Sequence, residues 1–65
     1  MIKTIIRLKN DLVMVFDDEG EQVPSYQGQY KDVKGNILRD APAGTVFTHW
    51  SDCAAEPEPV YKEAW

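Results

Sequence analysis

The chain has 65 residues, of which 43% are hydrophobic and 28% charged, and its net charge is -4. This length fits one small domain, and the ordinary globular balance of apolar and charged residues excludes wholesale disorder. The excess of acidic over basic residues also argues against broad nucleic-acid binding, because contact with phosphates depends on accumulated positive charge.

The N-terminal segment predicts a β-hairpin. It is rich in β-branched and other apolar residues, and the main interruption falls around Asn10 and Asp11, two residue types that tolerate left-handed turn geometry. This pattern predicts strands near 2–8 and 12–17. An acidic cluster followed by Gly20 then ends the second strand in a solvated turn.

The register of this hairpin decides which side chains share a face, and the sequence leaves two registers open. A two-residue turn at Asn10 and Asp11 pairs Leu8 with Val13. A three-residue loop shifts the pairing by one and puts six side chains on one face: Thr4, Ile6, Leu8, Leu12, Met14 and Phe16. The other face of that register holds Ile5, Val13 and Val15. Under either register, the face away from the helix keeps at least three large apolar residues.

A helix is predicted over 26–39. Four apolar residues recur there at spacings of four, three and four, which is one face of a helix: Tyr26, Tyr30, Val33 and Ile37. Ser25 is a suitable N-cap, and Pro42 ends the segment. Gly28 and Gly35 lie inside the pattern and weaken the helix, so packing must hold it.

A third strand and a tail complete the chain. Residues 45–50 predict a strand by their β-branched and aromatic content. Pro57 and Pro59 follow, and neither fits a helix interior or a central strand because each lacks an amide hydrogen. We therefore divide the chain into a core domain at 1–53 and an extended C-terminal tail at 54–65. Three apolar side chains in the tail are able to dock on the core: Val60, Tyr61 and Trp65.

The predicted fold class is α+β, a small β-β-α-β domain with a three-stranded, mainly antiparallel sheet of order 2-1-3 and one helix on one face. Strand 1 is the most aliphatic and is therefore expected at the centre. A right-handed crossover from strand 2 past strand 1 makes both of its neighbours antiparallel. One helix covers only one face, so the apolar residues of the other face need cover from the tail, a second copy or a partner.

The leading functional hypothesis is a non-enzymatic protein–protein interaction module or homodimer that uses the sheet face opposite the helix. Tryptophan is enriched at interface hot spots, and the chain has two tryptophans in its C-terminal third. The predicted interaction residues are Ile5, Val13, Val15, Phe47, Trp50 and Trp65.

The alternative hypothesis is a small nucleic-acid-binding regulator. Lys3, Arg7 and Lys9 share one face of strand 1, and a basic sheet face with aromatic residues is one way that small domains stack single-stranded bases. The structural interpretation of the same residues is a strip of charge that protects a sheet from aggregation.

The motif of His49, Asp52 and Cys53 contains three side chains that are able to bind metal. Zinc sites take three or four ligands from separated segments, and the chain has no second cysteine or histidine to complete one. A nucleophile such as Cys53 also needs a cleft, an oriented base and an oxyanion donor, which a domain of this size rarely builds. We therefore expect no metal site, no cofactor and no enzymatic activity.

The cysteine content also bears on the compartment. A chain this short in an oxidising compartment usually carries several disulfides, whereas Cys53 is its only cysteine. The longest apolar run, 12–16, is far shorter than a membrane span, and the N-terminus does not resemble a secretory signal. We expect a cytoplasmic protein without membrane contact.

Overall fold

The computed structural model describes residues 1–51 and 55–65. Within these ranges the chain forms one α-helix and a five-stranded mixed sheet, and the predicted α+β class is confirmed. The elements are β1 (Ile2–Arg7), β2 (Leu12–Asp17), β3 (Gly28–Gln29), α1 (Tyr30–Asp40), β4 (Val46–His49) and β5 (Glu58–Val60). Short 3-10 turns at Pro24–Tyr26 and Lys62–Ala64 precede β3 and follow β5.

The predicted three-stranded, mainly antiparallel sheet is wrong. The strand order is β3-β2-β1-β4-β5. β1 does lie between β2 and β4, but it runs parallel to β4 and antiparallel to β2. β3 and β5 are the edge strands, and each runs antiparallel to its neighbour.

The short strand β3 explains the changed direction of β4. Residues 26–29 do not continue the helix, because Gly28 has a backbone φ of 151° and pairs with Val13 of β2. The chain therefore reverses once more before α1, which begins at Tyr30. β3 runs parallel to β1, and α1 then returns the chain so that β4 also runs parallel to β1.

The hairpin between β1 and β2 has the three-residue loop. The amide of Leu8 donates to the carbonyl of Leu12 at 2.8 Å, and the amide of Asp11 donates to the carbonyl of Leu8 at 3.0 Å. Asp11 has a φ of 63°, the left-handed conformation typical of the last residue in such a loop. The structure thus selects the second of the two registers, in which Ile6 pairs with Met14.

The core lies between α1 and the sheet. Its buried side chains come from β1, β2, β4, α1 and the end of the C-terminal segment: Ile2, Ile5, Val13, Val15, Val33, Ile37, Phe47 and Trp65. An irregularity in the pairing between Ile2 and Thr4 allows Ile2 to join the same side as Ile5, although strict alternation would put residues three positions apart on opposite sides.

The C-terminal segment is part of the sheet. Val60 pairs with Phe47 and Glu58 pairs with His49, so that β5 extends the sheet beyond β4. Pro59 lies in this strand at the edge, where a missing amide hydrogen is tolerated. Trp65 then enters the core on the helix side and is 3% exposed. The tail therefore docks, and it docks beneath α1 and not across the opposite face.

Candidate interaction surface

The sheet face away from α1 is the most unusual surface of the molecule. Because side chains alternate along a strand, the neighbours of the core residues point to this side. We call the part of it on β1, β2 and residues 46–50 the open face, and its residues are Thr4, Ile6, Leu8, Leu12, Met14, Phe16, Val46, Thr48 and Trp50. Gln22, Gln29 and Pro59 border it, since they pair with Phe16, Leu12 and Thr48. Strand pairing arranges the open-face residues in rows across the sheet, and Ile6 lies between Met14 and Thr48.

The open face is apolar and uncharged. Seven of its nine side chains are hydrophobic, and two are threonines. An antiparallel or mixed sheet with one solvated face usually carries polar residues there in alternation with the core. Val46 is 40% exposed, and most of the remaining apolar side chains are partly exposed. This face therefore resembles a second packing surface more than a solvated one.

Thr48 shows how polarity is removed from the centre of the open face. Its side chain is only 8% exposed, and its Oγ1 donates to the carbonyl of Ile5 at 2.8 Å. The hydroxyl is thus satisfied within the sheet, and its methyl group is left among apolar neighbours. The residue contributes little polarity to the surface although it is a threonine.

The two edges of the sheet are poor sites for association. β3 is only two residues long, and the backbone of β2 beyond it is occupied by local contacts, such as the amide of Val15 donating to Oε1 of Gln27 at 3.2 Å. β5 contains Pro59, which lacks an amide donor. Short edge strands and proline are devices that prevent pairing with another strand. With β3 and β5 in place, both edges therefore carry features that disfavour pairing with a further strand.

Five of the six predicted interaction residues lie in the core and not on the open face. Their assignment to the side away from the helix is wrong. The three-residue register does place Ile5, Val13 and Val15 on one face, but α1 packs on that face, and Phe47 and Trp65 lie on the same side. Ile5 and Val15 are 0% exposed. The hypothesis of an interaction stays a prediction, but these side chains do not form its surface.

Trp50 is the one predicted residue on the open-face side. Its amide donates to the carbonyl of Arg7 at 2.8 Å, which continues the β1–β4 pairing by one residue. The ring lines a shallow depression with Leu8 and Asn10, and Nζ of Lys9 lies 5.6 Å from the ring centroid. At this distance the ammonium group of Lys9 is attracted to the face of the Trp50 ring. The two side chains together form the border of the open face.

The basic strip of the nucleic-acid hypothesis is not assembled in the structure. Arg7 points to the helix side, where its guanidinium carbon lies 3.7 Å from the ring centroid of Tyr30 and its Nη2 lies 2.8 Å from the Asp11 carboxylate. Lys3 and Lys9 are exposed near opposite ends of β1. The three cations therefore do not form one surface.

The residues considered for metal binding fall partly outside the described chain. Asp52 and Cys53 are not among the described residues, and His49 ends β4 opposite Glu58. In residues 1–51 and 55–65, no group of three or more histidine, cysteine, aspartate or glutamate side chains is arranged to hold a metal ion.

A cleft near the C-terminus of α1 contains the one strongly shifted carboxyl group of the described residues. The cleft has a volume of about 350 Å³ and is lined by Tyr26 and Asp40, among others. Nε of Arg39 donates to Asp40 at 2.9 Å, and the hydroxyl of Tyr26 donates at 2.7 Å. These two contacts lower the pKa of Asp40 to about 2. The Asp40 carboxylate is thus held in its ionised form by two contacts within the chain.

Comparison with protein families, with curated proteins and with solved structures gives no match for this chain. None of the helices in the described part of the chain has the length and apolar character needed to cross a membrane.

Proposed function

We propose that this chain is a non-enzymatic cytoplasmic interaction module that forms a homodimer through its open face. The observation that supports the proposal is a sheet face with seven hydrophobic side chains and no charged one among its nine residues. Large apolar patches on small proteins commonly mark interaction sites.

The energetics favour cover for this face. Three strands at a spacing of ~4.8 Å and a length of ~20 Å give a projected area of roughly 290 Å². At ~25 cal/mol per Å² of apolar surface, cover is worth about 7 kcal/mol before the cost of association. Small domains have a total stability of about 5 to 15 kcal/mol, so the gain is comparable with the stability of the fold itself.

The absence of charge on the open face is compatible with a second copy as the occupant. Each copy has a net charge of -4 and repels another copy, and an uncharged contact surface limits this cost by keeping the like charges apart. The open face is such a surface, while acidic side chains lie in the turn after β2, where Asp18 is exposed. A two-fold symmetric contact also needs a patch that complements itself, and a flat apolar sheet meets that condition.

The size of the face sets the expected affinity. Two sheets pack face to face at ~10 Å with their strands roughly aligned, so two copies would form a sandwich. The projected areas of the two faces sum to roughly 600 Å², so the contact lies below the standard interface range, which begins at about 1,200 Å² in total. We therefore expect a reversible dimer with a dissociation constant on the order of micromolar.

Sedimentation velocity tests the proposal. Over about 1 to 500 μM, a range that brackets a micromolar dissociation constant, the mass should rise from that of the 7.4 kDa chain toward twice that value. Val46→Asp and Met14→Asp should each weaken the dimer at least ~10-fold, because an unpaired charge is strongly disfavoured in an apolar interface. Val46 is already 40% exposed, so its substitution should leave the monomer folded.

Asn36→Asp is the matched control, since it adds the same charge at an exposed position of α1 and should leave the dimer intact. A chain that stays monomeric up to 500 μM would contradict the homodimer. Dimers that survive both open-face substitutions would place the contact elsewhere.

A further inference from the structure

The C-terminal segment occupies a groove that other parts of the chain form. One side of this groove is the outer edge of β4, to which β5 adds as a strand through the Phe47–Val60 and His49–Glu58 pairs. At its end, the groove has a pocket that holds Trp65. We call this surface the tail groove, and it lies on the helix side of the sheet.

The pocket recognises an aromatic residue by ring contacts and by its backbone. The ring of Trp65 meets Tyr30 at 5.1 Å and Phe47 at 5.3 Å between centroids, both in edge-to-face geometry. Nη1 of Arg7 donates to the carbonyl oxygen of Trp65 at 2.9 Å. Edge-to-face pairs and a charged hydrogen bond give the site a defined preference.

Two walls of the pocket, Arg7 and Tyr30, have contacts that do not involve the tail. The guanidinium of Arg7 stacks on Tyr30 and pairs with Asp11, and neither contact involves the C-terminal segment. The amide of Tyr30 donates to the carbonyl of Asp11 at 2.7 Å, which ties the first residue of α1 to the hairpin loop. These contacts favour a preorganised groove, and a preorganised site binds with a smaller ordering cost.

The segment is anchored at β5 and at Trp65, and the residues between these anchors are exposed. Val60 and Trp65 pack against the core, whereas Tyr61 between them is 84% exposed. Pro59 donates no hydrogen bond to β4. The indole Nε1 of Trp65 is buried and has no hydrogen-bond partner among the described residues, which is unfavourable for a buried donor.

We propose that the tail groove is a binding site for an extended peptide with an aliphatic residue and a tryptophan five positions later, and that its partner is the same C-terminal segment of a second copy. The chain's own segment shows the fit, since strand addition to β4 supplies the backbone contacts and the pocket supplies side-chain selectivity. The intramolecular segment competes with the intermolecular one at an effective concentration of about millimolar, so exchange depends on the strength of its anchor. This inference is independent of the open face.

The experiment measures binding of a fluorescently labelled peptide of residues 55–65 to the full-length chain by anisotropy. The unmodified chain should bind it weakly, because its own Trp65 fills the pocket. Trp65→Ala in the chain should strengthen binding at least ~10-fold by removing that competitor. The control peptide carries Trp65→Ala and should bind neither chain.

A second variant and a second readout keep the test decisive. Trp65→Phe in the chain is the second variant, for use if Trp65→Ala does not fold. It leaves a smaller aromatic anchor in the pocket, so this chain should bind the peptide more tightly than the unmodified chain does, but less tightly than a chain whose pocket is empty. In an NMR titration of the isotope-labelled unmodified chain with unlabelled peptide at millimolar concentration, the indole Nε1–H signal of the chain's own Trp65 should shift, because the peptide displaces that side chain from the pocket. An unchanged indole signal would overturn the proposal, as would folded Trp65 variants that bind no better than the unmodified chain.

The Met14→Asp background separates this site from the homodimer. Met14 lies on the open face, so peptide binding should persist in that variant whether or not the unmodified chain dimerises. Peptide binding that is lost together with the dimer would show that the peptide uses the open face, and would overturn the tail groove.

Discussion

Two glycines in the predicted helix have opposite roles. Gly35 lies within α1 at an exposed position, and a Cβ built on it meets nothing within 4 Å. Gly28 has a φ of 151°, which L-residues rarely adopt, and its added Cβ lies 3.5 Å from Cγ1 of Val33. Gly35 is thus replaceable, whereas Gly28 is required because its backbone conformation strains any other residue.

Alanine at each position gives a matched pair for urea unfolding. Gly35→Ala should raise the free energy of unfolding by about 1 kcal/mol, because alanine is the better helix former and restricts the unfolded chain. Gly28→Ala should lower it by about 1 to 3 kcal/mol through backbone strain. If Gly28→Ala proved neutral, the conformation assigned to β3 would be contradicted.

Asp11 shows why the sequence left the register open. Its left-handed φ of 63° is what closes a three-residue loop. However, the adjacent Asn10 and Asp11 are also suitable for a two-residue turn, so composition alone does not distinguish the two loops. A shift of one residue decides whether Val15 shares a face with Ile5 or with Ile6. The predicted interaction residues were assigned to the wrong side for another reason, because the sequence did not show which face α1 covers.

At the level of elements, the C-terminus of α1 carries a pH-dependent contact. Hydrogen bonds from Arg39 and then Tyr26 lower the pKa of Asp40 from 3.8 to about 2. A lowered carboxyl pKa means that the folded state favours the ionised form. This contribution to stability is therefore complete above the unfolded pKa and is lost as the pH falls through about 2.

NMR titration of the side-chain carboxyl carbon of Asp40 measures this shift directly. We expect a midpoint well below 3.8, and Tyr26→Phe should move it partway back because one donor is removed. Asp40→Asn should reduce stability at neutral pH, and the difference from the unmodified chain should shrink between pH 4 and pH 2. A midpoint near 3.8 in the unmodified chain would contradict the hydrogen bonds assigned here.

The elements were predictable in proportion to their length. β1, β2, β4 and most of α1 follow the apolar patterns of the sequence, since each buries a repeating face. β3 is two residues long, too short to show alternation, and the spacing of Tyr26 and Tyr30 imitates a helix across it. Tyr26 still packs on the core, but it does so from a 3-10 turn. The spacing therefore predicted correctly that this side chain packs inward, and predicted its backbone conformation wrongly.

At the level of the molecule, the sequence predicted an excess of apolar residues that one helix does not cover, and the open face has this property. The position of the tail was less predictable, because Trp65 needs a pocket that only the assembled fold provides. Arg7 shows the same limit. Its place on β1 suggested a basic strip, whereas the fold turns it toward Tyr30 and the carbonyl of Trp65.

A homodimer of so small a domain should link folding to concentration. A 65-residue chain buries only about 60% of its unfolded surface, so the monomer alone is marginally stable. The second copy then acts as a ligand of the folded chain. When the protein concentration is 100 times the dissociation constant, dimerisation adds about 2.7 kcal/mol to the free energy of unfolding. For a domain of this size, 1 kcal/mol corresponds to about 4 to 8 °C in Tm.

Calorimetry or thermal circular dichroism at several concentrations checks this link. The Tm of the unmodified chain should rise by several degrees between about 5 and 500 μM, because the dimer becomes populated in that range. Val46→Asp should unfold at a Tm that does not change with concentration and that matches the unmodified chain at its lowest concentration. A constant Tm for the unmodified chain would mean that its open face stays solvated, and that the apolar residues there are tolerated by the monomer without a partner.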